Sequence, residues 1–186
     1  MDITIRPVRP EEHGALAEVT AGAYLDDGLL AFGESDEHLI GLRDVAGRAA
    51  AAEVLVAVGE DGRVLGGVTF VADGTARGAE PDGTARGAGG GAGWAGEAGL
   101  AGAGEAELRM LAVAREARGR GAGEALVRAC VERARAQEGC RRLVLSSRQS
   151  MRAAHRVVER LGFVRTPERD WEPAPGVTLR TYGLSL

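Results

Sequence analysis

The sequence predicts an α/β (α+β) domain with a mixed, mostly antiparallel sheet of about six to seven strands, flanked by four helices. Short apolar or alternating runs, typical of strands, are interspersed with longer segments whose apolar residues recur at helical spacing. An Asp61-Gly62 pair between two apolar runs is a strong hairpin signal. The 186 residues are enough for one domain with a sizeable core and too few for two comfortable ones.

Composition and charge exclude several kinds of chemistry. All 23 basic residues are arginine, which rules out a lysine Schiff base or a Walker lysine. Residues 1–104 carry 7 Arg and 17 acids, a net of −10, whereas residues 105–186 carry 16 Arg and 10 acids, a net of +6. This division suits an anionic ligand on one side, although solvated helix faces explain it equally well. A pI near 5.5 argues against nucleic acid as a partner.

Metal, disulfide and membrane roles are not expected. Cys130 and Cys140 are too few for a disulfide framework or a metal cluster, and His13 and His38 lack ligand spacing. The N-terminus has no basic segment followed by an apolar run, and no stretch approaches 18 apolar residues. We therefore expect a soluble cytoplasmic protein with no metal and no membrane partner.

The first 71 residues predict one strand, two helices and a strand pair. Pro7 and Pro10 end the first strand, and Ser35 is placed to cap the second helix. The core-facing residues are Leu16 and Val19 in the first helix and Leu39, Leu42, Val45 and Ala46 in the second. The predicted elements are a strand at 3–6, a helix at 11–23, a loop at 24–34, a helix at 35–52, and strands at 54–58 and 64–71.

Residues 73–104 interrupt every periodic pattern. They contain 12 glycines, and the string DGTARGA occurs at 73–79 and again at 82–88. A segment of this composition buries too little apolar surface to offset the entropy of ordering it. We predict a mostly disordered insertion between two strands of one sheet, so that residues 1–186 form a single domain.

Regular structure is predicted again from Glu105 onward. In the strand over 105–113, simple alternation places Glu105, Glu107, Arg109 and Leu111 on one face. The next helix turns Leu126, Ala129, Cys130 and Ala134 inward. The predicted elements are this strand, a helix at 121–137, a strand at 142–146, a helix at 150–160, and a hairpin of 163–165 with 177–186 around a proline-rich loop.

The turn between the strand and helix, Arg118-Gly119-Arg120-Gly121-Ala122-Gly123, predicts an anion site at a helix start. A Walker loop fails because the chain has no lysine. A dinucleotide fingerprint counted from Gly119 would need a glycine where Glu124 stands. The pattern R-x-x-G-x-G fits at every specified position.

The stretch LAVAREARGRGAGEAL resembles the coenzyme-A-binding signature of the GNAT acetyltransferase superfamily. A second stretch, MRAAHRVVERLGF, resembles the family's closing helix through Ala154, Leu161, Gly162 and Phe163. The resemblance implies a GNAT-like fold in which the strand before the glycine loop splays from its neighbour and pairs with the pantetheine arm. The cofactor-binding residues so implied are Leu111, Ala112, Val113, Arg118, Gly119, Arg120, Gly121, Ala122 and Gly123.

The resemblance further implies direct attack of a neutral primary amine on the thioester of acetyl-CoA. Glu107 is the predicted catalytic base and Glu105 the second choice, while the alternative for Glu107 is simple pairing with Arg109. A backbone N–H near 111–113 would stabilise the oxyanion. Val158 stands where the family often has a proton-donating tyrosine, leaving Tyr182, Ser147, Ser150 or solvent as donors. A role for His155 or for a cysteine nucleophile is the weaker interpretation.

The leading hypothesis is an acetyl-CoA-dependent N-acetyltransferase that acts on an unidentified small molecule or peptide amine. The alternative is a non-catalytic acyl-CoA-binding or sensing module, which Val158 motivates. The acceptor pocket is expected between the first two helices and the terminal hairpin. Acids there favour a cationic amine, although solvated loops explain them equally well. The residues of interest are Tyr24, Asp26, Asp27, Glu34, Asp36 and Trp171. Dimers are common in the family, so a homodimer is a further expectation.

Overall fold

The computed structural model describes residues 2–30, 38–72 and 99–186, and these form one eight-stranded sheet with helices on both faces. The strand order is β1-β2-β3-β4-β5-β8-β6, and β7 also pairs with β8. All neighbouring strands are antiparallel except β4 and β5. The strands are β1 (Ile3–Pro7), β2 (Glu53–Gly59), β3 (Val64–Val71), β4 (Glu105–Val113), β5 (Arg142–Arg148), β6 (Val164–Arg165), β7 (Trp171–Ala174) and β8 (Val177–Ser185).

Five helices cover the sheet in the described ranges. The larger apolar cluster joins the sheet to the two C-terminal helices, and two smaller clusters join it to the three N-terminal helices. The predicted fold class, a mixed and mostly antiparallel sheet flanked by helices, is confirmed. The helices are α1 (His13–Asp26), α2 (His38–Arg43), α3 (Val45–Ala51), α4 (Ala122–Ala136) and α5 (Arg152–Arg160).

The prediction of one continuous second helix is wrong. The chain leaves helical geometry at Asp44 (φ −77°, ψ 64°), whose carboxylate accepts a hydrogen bond from the Gly47 N–H at 2.9 Å and so caps α3. Because of this break Ala46 is exposed, whereas Leu42 and Val45 are buried as predicted. The first helix continues to Asp26, beyond its predicted end, and Ser35 lies outside the described residues.

A β-bulge at Met110 contradicts the alternation predicted for β4. Gly67 pairs with Ala112 and Thr69 with Arg109, so Met110 and Leu111 together lie opposite one residue of β3. Met110 has a positive φ of 50° and packs against the cluster of α1 and α2. Leu111 packs instead on the α4 side of the sheet, in the cluster that contains Leu108, so it does not share a face with Glu107.

The parallel contact between β4 and β5 is short. It comprises three residue pairs and ends at Glu107 opposite Val144, although β4 continues to Val113 and β5 to Arg148. Beyond that point β5 pairs with β8 alone. The two strands therefore diverge, as the resemblance implied, and a gap opens toward the start of α4.

Part of the glycine-rich insertion predicted at 73–104 lies within the described residues. Residues 73–98, including both DGTARGA strings and Trp94, lie outside the described residues. The last six residues of the predicted insertion are described and contact β4. The Leu100 N–H donates to the Glu107 carboxylate at 2.9 Å, and the Gly102 N–H donates to Glu105 at 3.0 Å. Fixed contacts therefore begin slightly before Glu105.

The C-terminal strands are tied together by a half-buried ion pair. The predicted hairpin is present as β6 and β8, and the proline-rich loop adds the unpredicted strand β7. Arg165 donates to both carboxylate oxygens of Asp170 at 2.8 and 2.6 Å, and the Thr181 N–H donates to Asp170 at 2.8 Å. These bonds hold the pKa of Asp170 at about 2, chiefly through the Arg165 guanidinium.

Replacing Asp170 by Asn is expected to lower the free energy of unfolding at pH 7 by about 1–3 kcal/mol, because charge-assisted hydrogen bonds are lost. The folded-state pKa lies below the ordinary value of 3.8, so this stabilisation is present above that pH and is lost as pH falls toward 2. Urea unfolding at several pH values measures it. Glu168→Gln is the control, since Glu168 is exposed in the adjacent turn. An equal loss at pH 7 and pH 2 would contradict the assignment.

Candidate functional site

A cavity of about 640 Å³ lies at the end of β4, next to the start of α4. Its walls come from the end of α1, the last residues of β4, one side of α5, and the glycine-rich loop (118–123) with the start of α4. The lining residues are Ala23, Tyr24, Asp27, Leu29, Leu111, Ala112, Val113, Ala117, Arg118, Gly119, Gly121, Ala122, Gly123, Glu124, Ser150, Met151, Arg152, Ala153, Ala154, Val157 and Arg160.

Helix α4 begins on the cavity without a side-chain cap. Gly121 is its N-cap residue, with a left-handed φ of +88°, and the first bond within the helix runs from the Ala125 N–H to the Gly121 carbonyl at 2.9 Å. The N–H groups of the first turn therefore have no partner within the helix. A Cβ built on Gly121 would meet nothing within 4 Å, so the backbone itself lines open space. This arrangement can bind an anion.

Arg118 is held beside this helix start by two contacts. Its Nη1 forms an ion pair with Asp27 Oδ1 at 2.7 Å, and its Nε donates to the Val113 carbonyl at 3.2 Å. Both charged side chains are more than a third exposed, so the pair is solvent-screened and can exchange partners. Asp27 thus places the guanidinium at the cavity, and its carboxylate competes with any anionic ligand for it.

Most of the sequence-predicted binding residues meet in this one place. Eight of the nine line the cavity, and Arg120, which is exposed, does not. Sequence reasoning assigned Tyr24 and Asp27 to a separate acceptor pocket, but both line this cavity. It missed the wall formed by α5, where Met151, Ala154 and Val157 recur at helical spacing. This helical spacing could have identified one face of α5 as apolar from the sequence alone.

Two further arginines on α5 bring positive charge to the cavity, and the sequence analysis did not select them. Arg152 and Arg160 are both exposed cavity-lining residues. Arg160 forms an ion pair with Glu124 at 3.1 Å, and Arg128 contacts the same carboxylate at 2.9 Å. Hydrogen bonding from Arg128 holds the pKa of Glu124 below its usual range, despite some desolvation. The carboxylate beside the helix start is therefore neutralised by its neighbours.

Glu107 lies close to the gap but is not part of the cavity lining. Its side chain is buried, with Arg109 Nε 2.9 Å from Oε1. Oε2 accepts from the Leu100 N–H at 2.9 Å and from Arg109 Nη2 at 3.1 Å. The pairing with Arg109, which was the alternative to a catalytic role, is therefore present. A role as general base stays a prediction, and it requires Glu107 to exchange one of these donors for substrate.

Glu105, the second choice for the base, is also occupied. Arg169 donates to both of its carboxylate oxygens at 2.9 Å, and the Gly102 N–H donates at 3.0 Å. Burial alone would raise the pKa of Glu105, but the hydrogen bonds from Arg169 and Gly102 and the charges of Arg169 and Arg142 together outweigh it and leave that pKa below its usual range. A carboxylate so stabilised is a weak base, which suits a structural role.

The sequence-predicted proton donors have different surroundings. Val158, which stands where the family often has a donor tyrosine, is 1% exposed in the core. Ser150 lines the cavity and is exposed. Ser147 is buried, with its Oγ 2.8 Å from His155 Nε2, and burial and Arg180 hold the pKa of that histidine below its usual value. Tyr182 is buried and its hydroxyl lies 3.4 Å from Glu159. Of these side chains, Ser150 is the cavity-lining donor.

Nucleophilic cysteine and metal chemistry find no support in the described residues. Burial raises the pKa of Cys130 to about 12, which keeps it a thiol. Within residues 2–30, 38–72 and 99–186, no group of three or more His, Cys, Asp or Glu side chains could hold a metal ion. None of the described helices has both the length and the apolar character to cross a membrane.

The same architecture occurs in several solved acetyltransferases. A GCN5-related N-acetyltransferase from Kribbella flavida is 22% identical, over 99% of this chain and 98% of that chain, with a TM-score of 0.63. A ribosomal-protein-alanine N-acetyltransferase from Brucella melitensis is 20% identical over 98% and 99%, with a TM-score of 0.65. A GNAT family acetyltransferase from Brucella melitensis in complex with acetyl-CoA is 22% identical over 100% and 88%, with a TM-score of 0.57.

Sequence comparison adds the family. Curated protein sequences gave no significant match. The model of the acetyltransferase (GNAT) family, however, matches residues 24–163. This range runs from the end of α1 to Phe163 and contains the bulged strand, the glycine-rich loop and the cavity-lining helices. Because the match covers most of the chain and the fold agrees with it, the chain belongs to the GNAT acetyltransferase family.

Proposed function

We propose that this protein is an acetyl-CoA-dependent N-acetyltransferase that acetylates a primary amine of a small molecule or peptide. One observation carries the proposal: the diverging end of β4 and the uncapped start of α4 open on the same cavity. A free strand edge suits an amide-containing arm, and a helix N-terminus suits a pyrophosphate. Coenzyme A contains both groups in one molecule.

The residues present fit this ligand. Backbone groups of Leu111 and Val113 on the edge facing β5 have no β5 partner, because that pairing ends at Glu107. They are the groups we assign to the pantetheine arm. The first N–H groups of α4, together with Arg118, would hold the pyrophosphate. When bound, acetyl-CoA supplies a thioester that is reactive toward amines.

The chain's own groups would then act on the amine and the developing charges. Glu107 would accept the amine proton, directly or through water, after exchanging a donor. A backbone N–H on β4 near 111–113 would stabilise the oxyanion. Ser150, which lines the cavity wall, would protonate the departing thiolate. No part of this sequence of events requires a metal.

The glycine at 121 gives a direct test of the phosphate-binding loop. Gly121→Val should lower the affinity for acetyl-CoA by at least about tenfold, since a side chain would occupy the helix start and strain a left-handed residue. Gly139→Val is a matched control: Gly139 has a φ of +80°, is equally open, and lies beyond the other end of α4. Calorimetric titration and thermal unfolding measure both variants. Equal affinities in the two variants would refute the assignment.

Glu107→Gln separates catalysis from packing. Breaking the buried pair should lower the free energy of unfolding by about 3–5 kcal/mol, because Arg109 loses its carboxylate. A further Arg109→Gln change should recover part of this loss. If Glu107 is the base, kcat stays low in the double variant and the acidic limb of the pH–rate profile disappears. A double variant with wild-type kcat would make Glu107 purely structural.

The proposed activity is tested by steady-state release of free thiol from acetyl-CoA over a panel of amines. The panel should include peptide N-termini, because one structural neighbour is a ribosomal-protein-alanine N-acetyltransferase. Amine-dependent thiol release, with the acetylated product identified by mass, is the expected result. Tight acetyl-CoA binding without turnover on any amine would support the alternative, a non-catalytic acyl-CoA-binding module. This alternative is motivated by Val158, which stands where the family frequently has a tyrosine.

A further inference from the structure

Arg48 on α3 is a buried cation whose hydrogen-bond partners among the described residues are neutral groups. Its side chain is 1% exposed. Nη1 donates to the Thr69 hydroxyl at 3.0 Å and Nη2 donates to the Leu42 carbonyl at 3.0 Å. Nε has no hydrogen-bond partner. In the described part of the chain, no carboxylate oxygen lies within 4.0 Å of this guanidinium.

This arrangement differs from that of four partly buried arginines, which have carboxylates in contact. They are Arg6 with Glu12, Arg109 with Glu107, Arg165 with Asp170, and Arg169 with Glu105. An arginine stays charged even when buried, and burying an unpaired charge is costly. Burial lowers the pKa of Arg48, and Tyr24 and Asp44 only partly oppose this. Among the described residues, the site therefore lacks an anion.

Arg48 is next to the proposed reaction site but on the opposite face of the sheet from α4. Thr69, its hydroxyl partner, pairs with Arg109 immediately before the bulge at Met110. Met110 packs into the same small cluster as Leu42 and Tyr24, and Tyr24 lines the cavity. Leu111, one residue beyond Met110, also lines the cavity. The guanidinium is thus connected to the cavity wall through the cluster that contains Leu42, Met110 and Tyr24.

We propose that Arg48 and the Thr69 hydroxyl bind a carboxylate of the acetyl acceptor, so that the acceptor is a primary amine bearing a carboxylate, such as a free amino acid. This inference rests on the proposed N-acetyltransferase function. A carboxylate matches the fork of a guanidinium and would use the unpaired Nε. Because the guanidinium is closed to solvent, entry requires local opening of the packing between α1 and α2, so binding is coupled to a conformational change.

The first test compares amino acids with their carboxamides as acceptors, which keeps the amine and side chain and removes only the negative charge. The wild-type protein is expected to acetylate the acid with a kcat/KM about 10- to 100-fold above that of the amide. Arg48→Met should abolish this preference by raising KM for the acid while leaving the amide unchanged. Arg48→Lys should retain part of the preference for the acid, because the ammonium keeps the positive charge but lacks the paired N–H donors of the guanidinium.

The control is Arg43→Met, which removes an exposed cation of α2 that pairs with Glu18. It should keep the preference for the acid. Equal turnover of acid and amide by the wild-type protein would overturn the inference and leave the proposed function standing. An equal loss on both substrates in Arg48→Met and Arg48→Lys would also overturn it, because that result marks a structural arginine.

A binding experiment keeps the inference testable without turnover. N-acetyl amino acids and their amides, the expected reaction products, are titrated calorimetrically into wild-type protein, Arg48→Met and Arg48→Lys. Tighter binding of the acid in the wild-type protein, reduced about 10- to 100-fold in Arg48→Met, supports the carboxylate site even if no amine is acetylated. If no acid in the panel binds more tightly than its amide, the site is absent. Retained acetyl-CoA affinity shows that each variant is folded.

Discussion

The three-residue parallel contact between β4 and β5 is the constraint on which the rest of the structure depends. β4 can leave β5 because β3 pairs with it along most of its length. β5 can leave β4 because β8 pairs with it at every residue from Arg142 to Arg148. Neither strand therefore loses its place in the sheet where the two diverge. The cost is one free edge on each, and a free strand edge next to a cavity is a surface for extended ligands.

The connection between these strands sets the second feature of the site. A crossover from β4 to a parallel β5 must pass over one face of the sheet, and α4 is that crossover. Its N-terminus consequently lies at the open end of the gap, where β4 ends at Val113. Gly121 and Gly123 keep that start free of side chains, and the nearest atom to a Cβ on Gly123 would be a methyl of Val113 at 3.5 Å. The free strand edge and the uncapped helix start thus have one topological cause.

The opposite charges of the two halves of the chain have a structural role as well. Ion pairs join the acidic half to the basic half at Arg118 with Asp27 and at Arg133 with Glu53. These two pairs offset part of the charge difference between the halves, which was not visible in either half alone. Two groups of cations enter the proposals for ligand binding. One comprises the arginines of the cavity wall, and the other is Arg48, which has no carboxylate among the described residues.

The sequence predicted most elements because their signals are local. Apolar spacing located both C-terminal helices. Gly162, which has a positive φ, follows the C-cap of α5 as predicted, whereas α4 ends at the extended residue Gln137, before Gly139. The sequence could not predict the bulge at Met110, because a bulge depends on how β3 pairs with β4. The contacts of Glu107 with Leu100 and of Arg118 with Asp27 were invisible for the same reason. The burial of Arg48 opposed the expectation that an arginine on a helix is solvated.

The absence of a tyrosine at Val158 bears on catalysis less than the family pattern suggests. Val158 is fully packed in the core with Phe163 and Tyr182, so its side chain supplies packing and no proton. A thiol with an ordinary pKa of about 8.5 is a good leaving group, which limits how much a general acid can accelerate its departure. The harder step is the attack, because most amines are protonated at neutral pH. The two residues proposed to act on the amine substrate, Glu107 by accepting its proton and Arg48 by binding its carboxylate, therefore bear on the harder step of the proposed reaction.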